Sequence, residues 1–453
     1  MEMRIKDLHI FSWLIICLLV FSACTKEDEP ISPTEPSLDD VPKAPEQGST
    51  ANRTVLVYMV ADNDLGTKGF ASSDLQEMSD AILSMAAGTY SNNNLLVYYD
   101  QNASSQKPVL FRLVKEGEIK VSATDPTKKE LVIHTAQEVI KEFPYEITST
   151  QPASIEEVMQ LAYSTFPASS YGFVYWSHGD GWTPGKYETE GLRSVSPLRY
   201  MGADWNNSSA NSSGSFKTGI PELAEVLKKA PKKLDFLLLD ACFMMSMEVA
   251  YELRDCAEFI ISSPTETPGP GAPYNQVVPK MFASSDAAVQ LATAYYQFYE
   301  NKYNPDVTNT NENWTGGVSI AVIKGSKLKA LAATTEMCLP EGPVDVTSLR
   351  ENVFDYDKRN NTHVGYYDMH GLMEKIIPSE TLLVQWKRAY ADALAFWSTT
   401  GMNYSAYARM FSMAGTNGVS HYIPTATDSS SARDVEYRST SWYKDAGLSK
   451  LGW

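Results

Sequence analysis

Residues 171–182 read YGFVYWSHGDGW, an unbroken apolar run that ends at a serine and a histidine. A continuous apolar run without alternation is typical of a strand that is buried on both faces of a parallel sheet. Four more runs have this character, and they lie at residues 54–60, 95–99, 234–239 and 258–262. The chain therefore predicts a mostly parallel sheet built around five strands.

Helical periodicity occupies the segments between these runs. Leu75, Met78 and Ile82 fit one face of a helix. Residues 154–157, SIEE, have the spacing of a capping box that opens a second helix, and residues 220–229 form a third. Alternating strands and helices predict an α/β fold in three layers, with helices on both faces of the sheet.

The second half of the chain is richer in helical patterns. Two further strand candidates lie at residues 317–322 and 418–423. We expect residues 53–285 to form the core of the fold. Residues 286–453 then form a C-terminal subdomain of helices and strands that completes it.

The N-terminus has the features of an export signal. Arg4 and Lys6 precede the apolar run 10–21, which is too short to span a bilayer comfortably. The run ends in FSAC, which resembles a bacterial lipobox with Cys24 as the residue that becomes diacylated. We therefore expect residues 1–23 to be a lipoprotein signal peptide. Ordinary signal cleavage, which leaves Cys24 as a free thiol, is the alternative.

Residues 24–52 are rich in Pro, Glu and Asp and have neither helical nor strand period, so they predict a flexible acidic tether. Residues 25–29, TKEDE, resemble the Lys-plus-acidic tether of Bacteroidetes lipoproteins. That resemblance implies an exported protein that is lipid-anchored to the outer membrane and exposed at the surface. A merely solvated run of charges is the alternative.

Charge and cysteine content restrict the function further. The formal net charge of −17 argues against nucleic-acid binding and favours cationic substrates through long-range steering. Cys17 leaves with the signal peptide and Cys24 carries lipid, so Cys242, Cys256 and Cys338 remain. An odd number leaves at least one of them unpaired unless chains cross-link. The six histidines are scattered without zinc-site spacing, so we expect no metal centre.

Reactive side chains follow two of the predicted strands directly. His178 comes after the run at 171–177, and Cys242 comes after the run at 234–239. Ligand sites in parallel sheets form beyond the carboxyl ends of the strands. If the two strands are neighbours, His178 and Cys242 face each other over the same edge.

This pair suits nucleophilic catalysis by cysteine, because a nearby histidine and a helix N-terminus both favour the thiolate. Residues 243–253 contain good helix formers without Gly or Pro, so they predict a helix with Cys242 at its positive end. Gly179 has no Cβ, and its N–H with that of Cys242 would form an oxyanion hole. Taken singly, each residue is more often structural. The pairing at two strand ends favours catalysis.

Residues 177–182, SHGDGW, and 239–244, LDACFM, resemble the histidine and cysteine motifs of the clostripain family of cysteine peptidases. This family is related to caspases, gingipains and legumain. The segments at 61–65, 262–271 and 443–453 also resemble the family. The resemblance covers residues 53–453 and implies a caspase-like fold with residues 53–285 as its catalytic core.

The resemblance implies a catalytic dyad, in which Cys242 attacks the scissile carbonyl and His178 protonates the leaving amine. Water then hydrolyses the thioester. It also implies cleavage after Arg or Lys, because an acidic residue at the floor of the specificity pocket binds the cation. Asp240 matches that position, and Glu266 is a second candidate. A structural carboxylate that accepts backbone N–H bonds is the alternative for Asp240.

Several relatives are activated by self-cleavage between the histidine and cysteine motifs. Lys186, Arg193 and Arg199 lie in that stretch. We expect a nick at one of them, with Arg193 as the first candidate.

Clostripain is calcium-dependent, and the resemblance extends that possibility to Asp62, Asn63 and Asp64. A turn or a helix cap is the commoner role for such residues after a strand. No other cofactor is expected.

Two alternative functions have different signatures. A non-catalytic surface lipoprotein that binds peptide or glycan would keep the fold and lose reactivity at Cys242. A serine hydrolase is disfavoured because no Gly-x-Ser-x-Gly elbow occurs. The partners expected for the peptidase are proteins or peptides with basic residues, and a membrane reached through the N-terminal lipid.

Overall fold

A computed structural model describes residues 35–101, 106–145, 147–182, 200–205, 216–306, 314–360 and 363–453. The expected signal peptide and Cys24 lie outside the described residues. So do the three self-cleavage candidates, Lys186, Arg193 and Arg199.

Fifteen strands occur in the described ranges: β1 (Ala51–Ala61), β2 (Asn93–Gln101), β3 (Val109–Val121), β4 (Lys129–Glu142), β5 (Ala168–Trp176), β6 (Tyr200–Asp204), β7 (Phe216–Gly219), β8 (Leu234–Asp240), β9 (Ala257–Ser262), β10 (Ser319–Lys324), β11 (Tyr367–Asp368), β12 (Leu394–Thr399), β13 (Met402–Ser405), β14 (Arg409–Ser412) and β15 (Ser420–His421). Nine of them form one sheet in the order β12-β10-β9-β8-β5-β1-β2-β3-β4. The other six pair two by two, as β6 with β7, β11 with β15 and β13 with β14.

The five predicted strands are confirmed as β1, β2, β5, β8 and β9, which form the parallel centre of the sheet. The neighbours β5 and β8 pair with Trp176 opposite Asp240, so their carboxyl ends lie side by side. The candidate at 317–322 is confirmed as β10, which runs antiparallel to β9. In the candidate at 418–423, only Ser420 and His421 form a strand, and it lies outside the main sheet.

Fourteen α-helices occur in the same ranges: α1 (Asp64–Thr67), α2 (Phe70–Ser84), α3 (Ala87–Tyr90), α4 (Pro152–Thr165), α5 (Ile220–Leu227), α6 (Met247–Glu252), α7 (Tyr274–Met281), α8 (Ala287–Lys302), α9 (Leu328–Cys338), α10 (Val346–Asn352), α11 (Met369–Ile376), α12 (Glu380–Ala393), α13 (Ala432–Ser439) and α14 (Ser441–Asp445). None of them is both long and apolar enough to cross a bilayer.

The helices cover both faces of the sheet and produce two hydrophobic cores. Side chains alternate along a strand, so Tyr58 and Tyr175 join one core with α4 and α5, while Val57 and Val174 join the other with α2, α7 and α8. This is the three-layer α/β arrangement that the sequence predicts.

The start of α4 differs from the prediction. The helix begins at Pro152, and Gln151 at the N-cap makes no side-chain hydrogen bond. Ser154 is a buried residue inside the helix, so the capping box at 154–157 is wrong. Proline in the first turn needs no backbone N–H and has the helical φ already, and it therefore fixes the start.

Part of the predicted tether is folded. Arg112 of β3 donates to the Pro45 carbonyl at 2.6 Å, and Gln47 donates to Glu138 of β4 at 2.9 Å. The prediction of a flexible tether is wrong for residues 35–50, which lie along the β3–β4 hairpin. The sequence did not reveal this packing because the hairpin itself was not predicted.

The C-terminal half is built into the same sheet. β10 pairs with β9, and β12 pairs with β10 at the sheet edge. Residues beyond 286 also contribute to both hydrophobic cores. This half therefore completes the three layers that the first half begins.

Candidate active site

The end of β5 carries His178 and is tied to the end of β1. Ser177 donates through Oγ to the Val60 carbonyl at 2.9 Å. Asn63 donates to the same carbonyl and to that of Ala203, each at 2.8 Å. The Gly202 N–H donates to the His178 carbonyl at 2.8 Å. The backbone of His178 is therefore fixed from both sides.

The imidazole of His178 lies against a carboxylate. His178 Nε2 is 2.6 Å from Asp64 Oδ1, and Lys68 Nζ lies 2.8 Å from the other oxygen, Oδ2. The hydrogen bond from His178 is the main reason why the pKa of Asp64 is held well below its usual range. Asp64 is therefore ionised at neutral pH.

Cys242 lies two residues beyond the end of β8 and is half-buried. The Thr267 N–H points at Cys242 Sγ over 3.3 Å. Burial, followed by the nearby Glu266 carboxylate, raises the pKa of the Cys242 thiol to about 12. The resting enzyme therefore holds a thiol rather than a thiolate. Cys256 and Cys338 are buried free thiols.

The segment after Cys242 is a turn and not a helix. Phe243 has φ of 60°, and Phe243 and Met245 donate backbone N–H bonds to Thr265 and Ser263 at 2.9 Å each. The helix α6 starts only at Met247. The prediction that Cys242 lies at the positive end of a helix is therefore wrong, because pairing with residues 263–265 overrides the local helix propensity.

A cleft of about 430 Å³ at this edge of the sheet brings the predicted residues together. His178 and Cys242 both line it, as does Asp240. Tyr404 and Ala406, from the β13–β14 hairpin, form part of its wall. The expectation that His178 and Cys242 meet over one edge of the sheet agrees with this geometry.

Gly179 packs directly on the cysteine segment. A Cβ at this position would lie 2.8 Å from Met244 Sδ and 2.9 Å from Ala241 Cβ. Within the described residues, neither the Gly179 N–H nor the Cys242 N–H donates to another backbone or side-chain group.

Asp240 is buried and lines the cleft. Its Oδ2 accepts from the Ala272 N–H at 3.1 Å and from Tyr274 Oη at 3.0 Å, and its Oδ1 accepts from Tyr295 Oη at 3.3 Å. Burial raises the pKa of Asp240 to about 6 against the opposing effect of these hydrogen bonds. A Cβ on Gly271 would approach Oδ2 to 2.9 Å, so a larger residue there would crowd the carboxylate.

Glu266 has a different position from the one expected. Its two oxygens accept from Ser405 Oγ at 2.5 Å and from the Ala406 N–H at 3.0 Å. It therefore holds the turn between β13 and β14, close to Cys242. These two hydrogen bonds give it a supporting role for the wall of the cleft.

Arg359, which the sequence analysis missed, joins the two catalytic segments. Its Nη1 donates to Asp180 Oδ1 at 2.8 Å, and its Nε donates to Asp357 Oδ1 at 2.8 Å. The guanidinium lies 4.7 Å from the ring centre of Phe243, next to the catalytic cysteine. No local pattern marks this arginine as part of the site, because Asp180 and Phe243 are more than a hundred residues away along the chain.

The calcium possibility does not fit the geometry. The Asn63 amide caps α1 through its oxygen and donates to two carbonyls through its nitrogen. Asp64 pairs with His178 and Lys68 instead of turning towards Asp62, which is buried. In the described part of the chain, no group of three or more His, Cys, Asp or Glu residues could hold a metal ion.

The three-layer α/β fold, with a cysteine and a histidine that line one cleft at the sheet edge, is that of the caspase-like cysteine peptidases. The model of the clostripain family matches residues 57–453. The chain belongs to the clostripain family.

Two solved structures are similar over almost their whole length. A secreted C11 cysteine protease from Bacteroides thetaiotaomicron, solved with an irreversible peptide inhibitor, is 38% identical with a TM-score of 0.71, covering 88% of this chain and 99% of that one. An inactive zymogen C11 protease from Parabacteroides distasonis is 27% identical with a TM-score of 0.65 and the same coverage. Clostripain of Hathewaya histolytica is 24% identical over 244 residues, which are 51% of this chain and 42% of the length of clostripain.

Proposed function

We propose that this protein is an exported cysteine endopeptidase that hydrolyses peptide bonds after Arg or Lys. The observation that carries the proposal is the shared cleft, since a thiol, an imidazole and a buried carboxylate line one space of about 430 Å³. A thiol and an imidazole provide a nucleophile and a proton carrier. The carboxylate of Asp240 provides a counter-charge for a basic side chain.

The chemistry begins with the substrate carbonyl next to Cys242. His178 accepts the thiol proton, and the sulfur forms a bond to the carbonyl carbon. The N–H groups of Gly179 and Cys242 donate to the oxyanion that develops. The imidazolium then gives its proton to the leaving nitrogen, the C–N bond breaks, and a thioester and a free amine result. Water, deprotonated by His178, hydrolyses the thioester and restores the thiol.

The resting thiol gives this cycle a defined order. Because the pKa of Cys242 is about 12, little thiolate exists before the substrate binds. The proton therefore moves to His178 when the carbonyl is in place, in concert with attack. Such an order protects the sulfur from adventitious oxidation, which requires thiolate character.

Selection of the basic side chain falls to Asp240. A buried carboxylate in an apolar pocket attracts a guanidinium or an ammonium strongly, because the surroundings screen the charges little. The two tyrosine hydroxyls and the Ala272 N–H hold it in one orientation. Glu266 acts indirectly, through the hairpin that carries Tyr404 and Ala406.

We also propose that the protein is attached to the outer membrane through lipid on Cys24 and exposed at the cell surface. The lipobox-like sequence and the acidic residues that follow it support this location. A related protein of Bacteroides thetaiotaomicron is described as secreted. Radiolabelled palmitate incorporation into wild type and into Cys24→Ala tests the anchor, and equal labelling of the two would refute it.

Activation by a nick at Lys186, Arg193 or Arg199 belongs to the same proposal. It is supported by the position of these residues between the two catalytic motifs and by a relative that is described as an inactive zymogen. Intact mass of the wild type should show two fragments, with Cys242→Ala remaining a single chain. Equal fragmentation of both would exclude self-cleavage.

The proposed activity is tested with fluorogenic peptides that end in Arg, Lys or Ala. We expect hydrolysis of the Arg and Lys peptides by the wild type, and none by Cys242→Ala. An active Cys242→Ala variant, or a wild type that only binds the peptides, would contradict the proposal. The second result would favour the non-catalytic binding protein.

A further inference from the structure

The pairing of Asp64 with His178 is an unusual use of a partly exposed carboxylate. The side chains of His178 and Asp64 are 33% and 37% exposed, and their closest atoms are 2.6 Å apart. Ion pairs with this degree of exposure contribute little to folding stability. The short contact therefore needs an explanation other than stabilisation of the fold.

The contact fixes the protonation state of the imidazole. Asp64 is ionised and can only accept, so the proton of the pair has to sit on Nε2 of His178. The other ring nitrogen, Nδ1, then carries the lone pair in the neutral imidazole. Only Nδ1 remains to exchange a proton with the Cys242 thiol and with the leaving amine.

Asp64 is itself held in place by the backbone around it. Gly66, two residues later, has so little space that a Cβ would lie 1.9 Å from the Ala61 carbonyl oxygen, so α1 folds tightly back onto the end of β1. Asn63 anchors the start of α1 to Val60 and Ala203. The carboxylate is thus presented from a rigid turn between two strands of the sheet.

Lys68 orients the carboxylate further. Its Nζ lies 2.8 Å from Oδ2 of Asp64, one turn along the chain, while Oδ1 faces the imidazole. Each oxygen therefore has one donor. An amide at this position would offer only one oxygen to two donors.

We propose that Asp64 is a positioning residue of the proposed peptidase, which holds His178 in the tautomer and orientation that proton transfer requires. The inference rests on the proposed function. Asp64 accepts the Nε2–H throughout and does not itself become protonated. It also stabilises the imidazolium that forms when Nδ1 takes the proton of Cys242, as an orienting carboxylate does in other nucleophile–histidine pairs.

If Asp64 has this role, its removal should reduce the rate of acylation by different amounts for substrates with different leaving groups. An amide nitrogen leaves only when His178 protonates it, whereas a nitrophenolate leaves without a proton. Deprotonation of the Cys242 thiol by His178 is common to both substrates, but only the anilide also needs its leaving nitrogen protonated. Removing Asp64 should therefore slow acylation by an arginyl nitrophenyl ester, and should slow acylation by an arginyl anilide more. A carboxylate that served only the fold would affect both substrates alike.

The test compares Asp64→Asn and Asp64→Ala with wild type, using kcat/KM because it reports acylation for both substrates. We expect kcat/KM for the anilide to fall about 100-fold in both variants, within the usual range for a positioned proton carrier. We expect the ester, which needs His178 only to deprotonate the thiol, to lose less than the anilide, and we expect the anilide KM to change little. Asp64→Asn should not rescue the anilide, because Lys68 attracts the single amide oxygen and turns the NH₂ group towards Nε2.

Glu116→Gln is the matched control. Glu116 faces His134 across the β3–β4 hairpin at 3.9 Å, on the part of β3 beyond its last pairing with β2. This change removes a carboxylate next to an imidazole away from the cleft, and both substrates should be hydrolysed as by wild type. Equal losses on anilide and ester in the Asp64 variants, or unchanged anilide hydrolysis, would overturn the proposal.

Failure of the proposed function gives a different result. In that case wild type and Cys242→Ala hydrolyse the anilide equally or not at all, and the role of Asp64 fails with it. Circular dichroism and thermal melting of the Asp64 variants verify that any loss is not unfolding. A drop in Tm large enough to unfold the variants at assay temperature would mean that the contact serves the fold, which also contradicts the proposal.

Discussion

Replacing Asp240 with asparagine should lower the peptidase activity and raise the stability of the fold. The carboxylate is buried and accepts three hydrogen bonds, and its pKa is raised to about 6. Asparagine has nearly the same shape and keeps an oxygen for the Ala272 N–H and Tyr274 donors. The change therefore removes a charge from the pocket while it leaves the packing intact.

The expected loss of activity in Asp240→Asn comes from the loss of a buried ion pair between Asp240 and a substrate guanidinium. Truncating one partner of a buried charge pair costs about 2–5 kcal/mol, which corresponds to a fall in kcat/KM of about 30-fold or more for Arg and Lys substrates. A substrate that ends in Ala makes no such pair and should be hydrolysed at an unchanged rate.

The expected gain in stability has the opposite origin. Burial raises the pKa of Asp240 from its ordinary 3.8 to about 6, so the folded state retains this proton to a higher pH than the unfolded state. The ionised carboxylate therefore destabilises the fold as the pH rises from 3.8 to 6, by about 3 kcal/mol above pH 6. The asparagine side chain loses one hydrogen bond, which offsets about 1 kcal/mol of the stability gained by removing the charge. Asp240→Asn should thus have a higher Tm at pH 8 and no gain at pH 4.

The assay combines kcat/KM from pH 4.5 to pH 8 with thermal melts at pH 4 and pH 8. For the wild type and an Arg substrate, kcat/KM should rise with pH through about 6, as Asp240 ionises in the free enzyme. The same slope should be absent from the variant. An unchanged Arg-to-Ala preference in Asp240→Asn would refute the reasoning, because the pocket charge would then lie elsewhere.

Three further predictions concern residues around the site. His421 is fully buried with its pKa lowered to about 4, so its own contribution to the free energy of unfolding should fall by about 3 kcal/mol as the pH falls from 6.5 to 4. Urea titration of wild type beside His421→Gln isolates this contribution, because the opposite contribution of Asp240 cancels in the difference, and a difference that does not vary with pH would contradict it. Arg359→Met should remove the ion pair with the half-buried Asp180 and lower both Tm and kcat, with Arg359→Lys recovering only part of each. Gly179→Ala should reduce kcat/KM for every substrate about 100-fold, because the added Cβ would lie too close to the Cβ of Ala241. Wild-type rates in this variant would show that the segments around Gly179 and Ala241 do not touch.

The centre of the sheet was predictable because each parallel strand is buried on both faces and therefore reads as a continuous apolar run. The long hairpin of β3 and β4 was not, since residues 109–142 mix charged and apolar side chains and β4 lies at the sheet edge. The packing of residues 35–50 depends on that hairpin, so it could not be predicted either. Local pattern thus identified the strands whose surroundings are apolar on both sides.

The candidate site was predictable where a reactive side chain comes directly after a predicted strand. His178 and Cys242 both stand at strand ends, and that placement follows from the sequence. The turn after Cys242 was not predictable, because tertiary hydrogen bonds to residues 263–265 decide it against helix propensity. The sequence indicates Asp64 as a possible calcium ligand or helix cap, but its pairing with a histidine 114 positions away has no local signal.

The central claim is that Cys242 and His178 act on one substrate in one cleft. The most direct measurement is the intact mass and peptide map of the protein after reaction with an arginyl chloromethyl ketone, in wild type, His178→Ala and Cys242→Ala. The account predicts one adduct per chain, located on Cys242, formed rapidly in wild type, much more slowly in His178→Ala and not at all in Cys242→Ala. An adduct on another residue, or labelling of Cys242 at the same rate without His178, would contradict it.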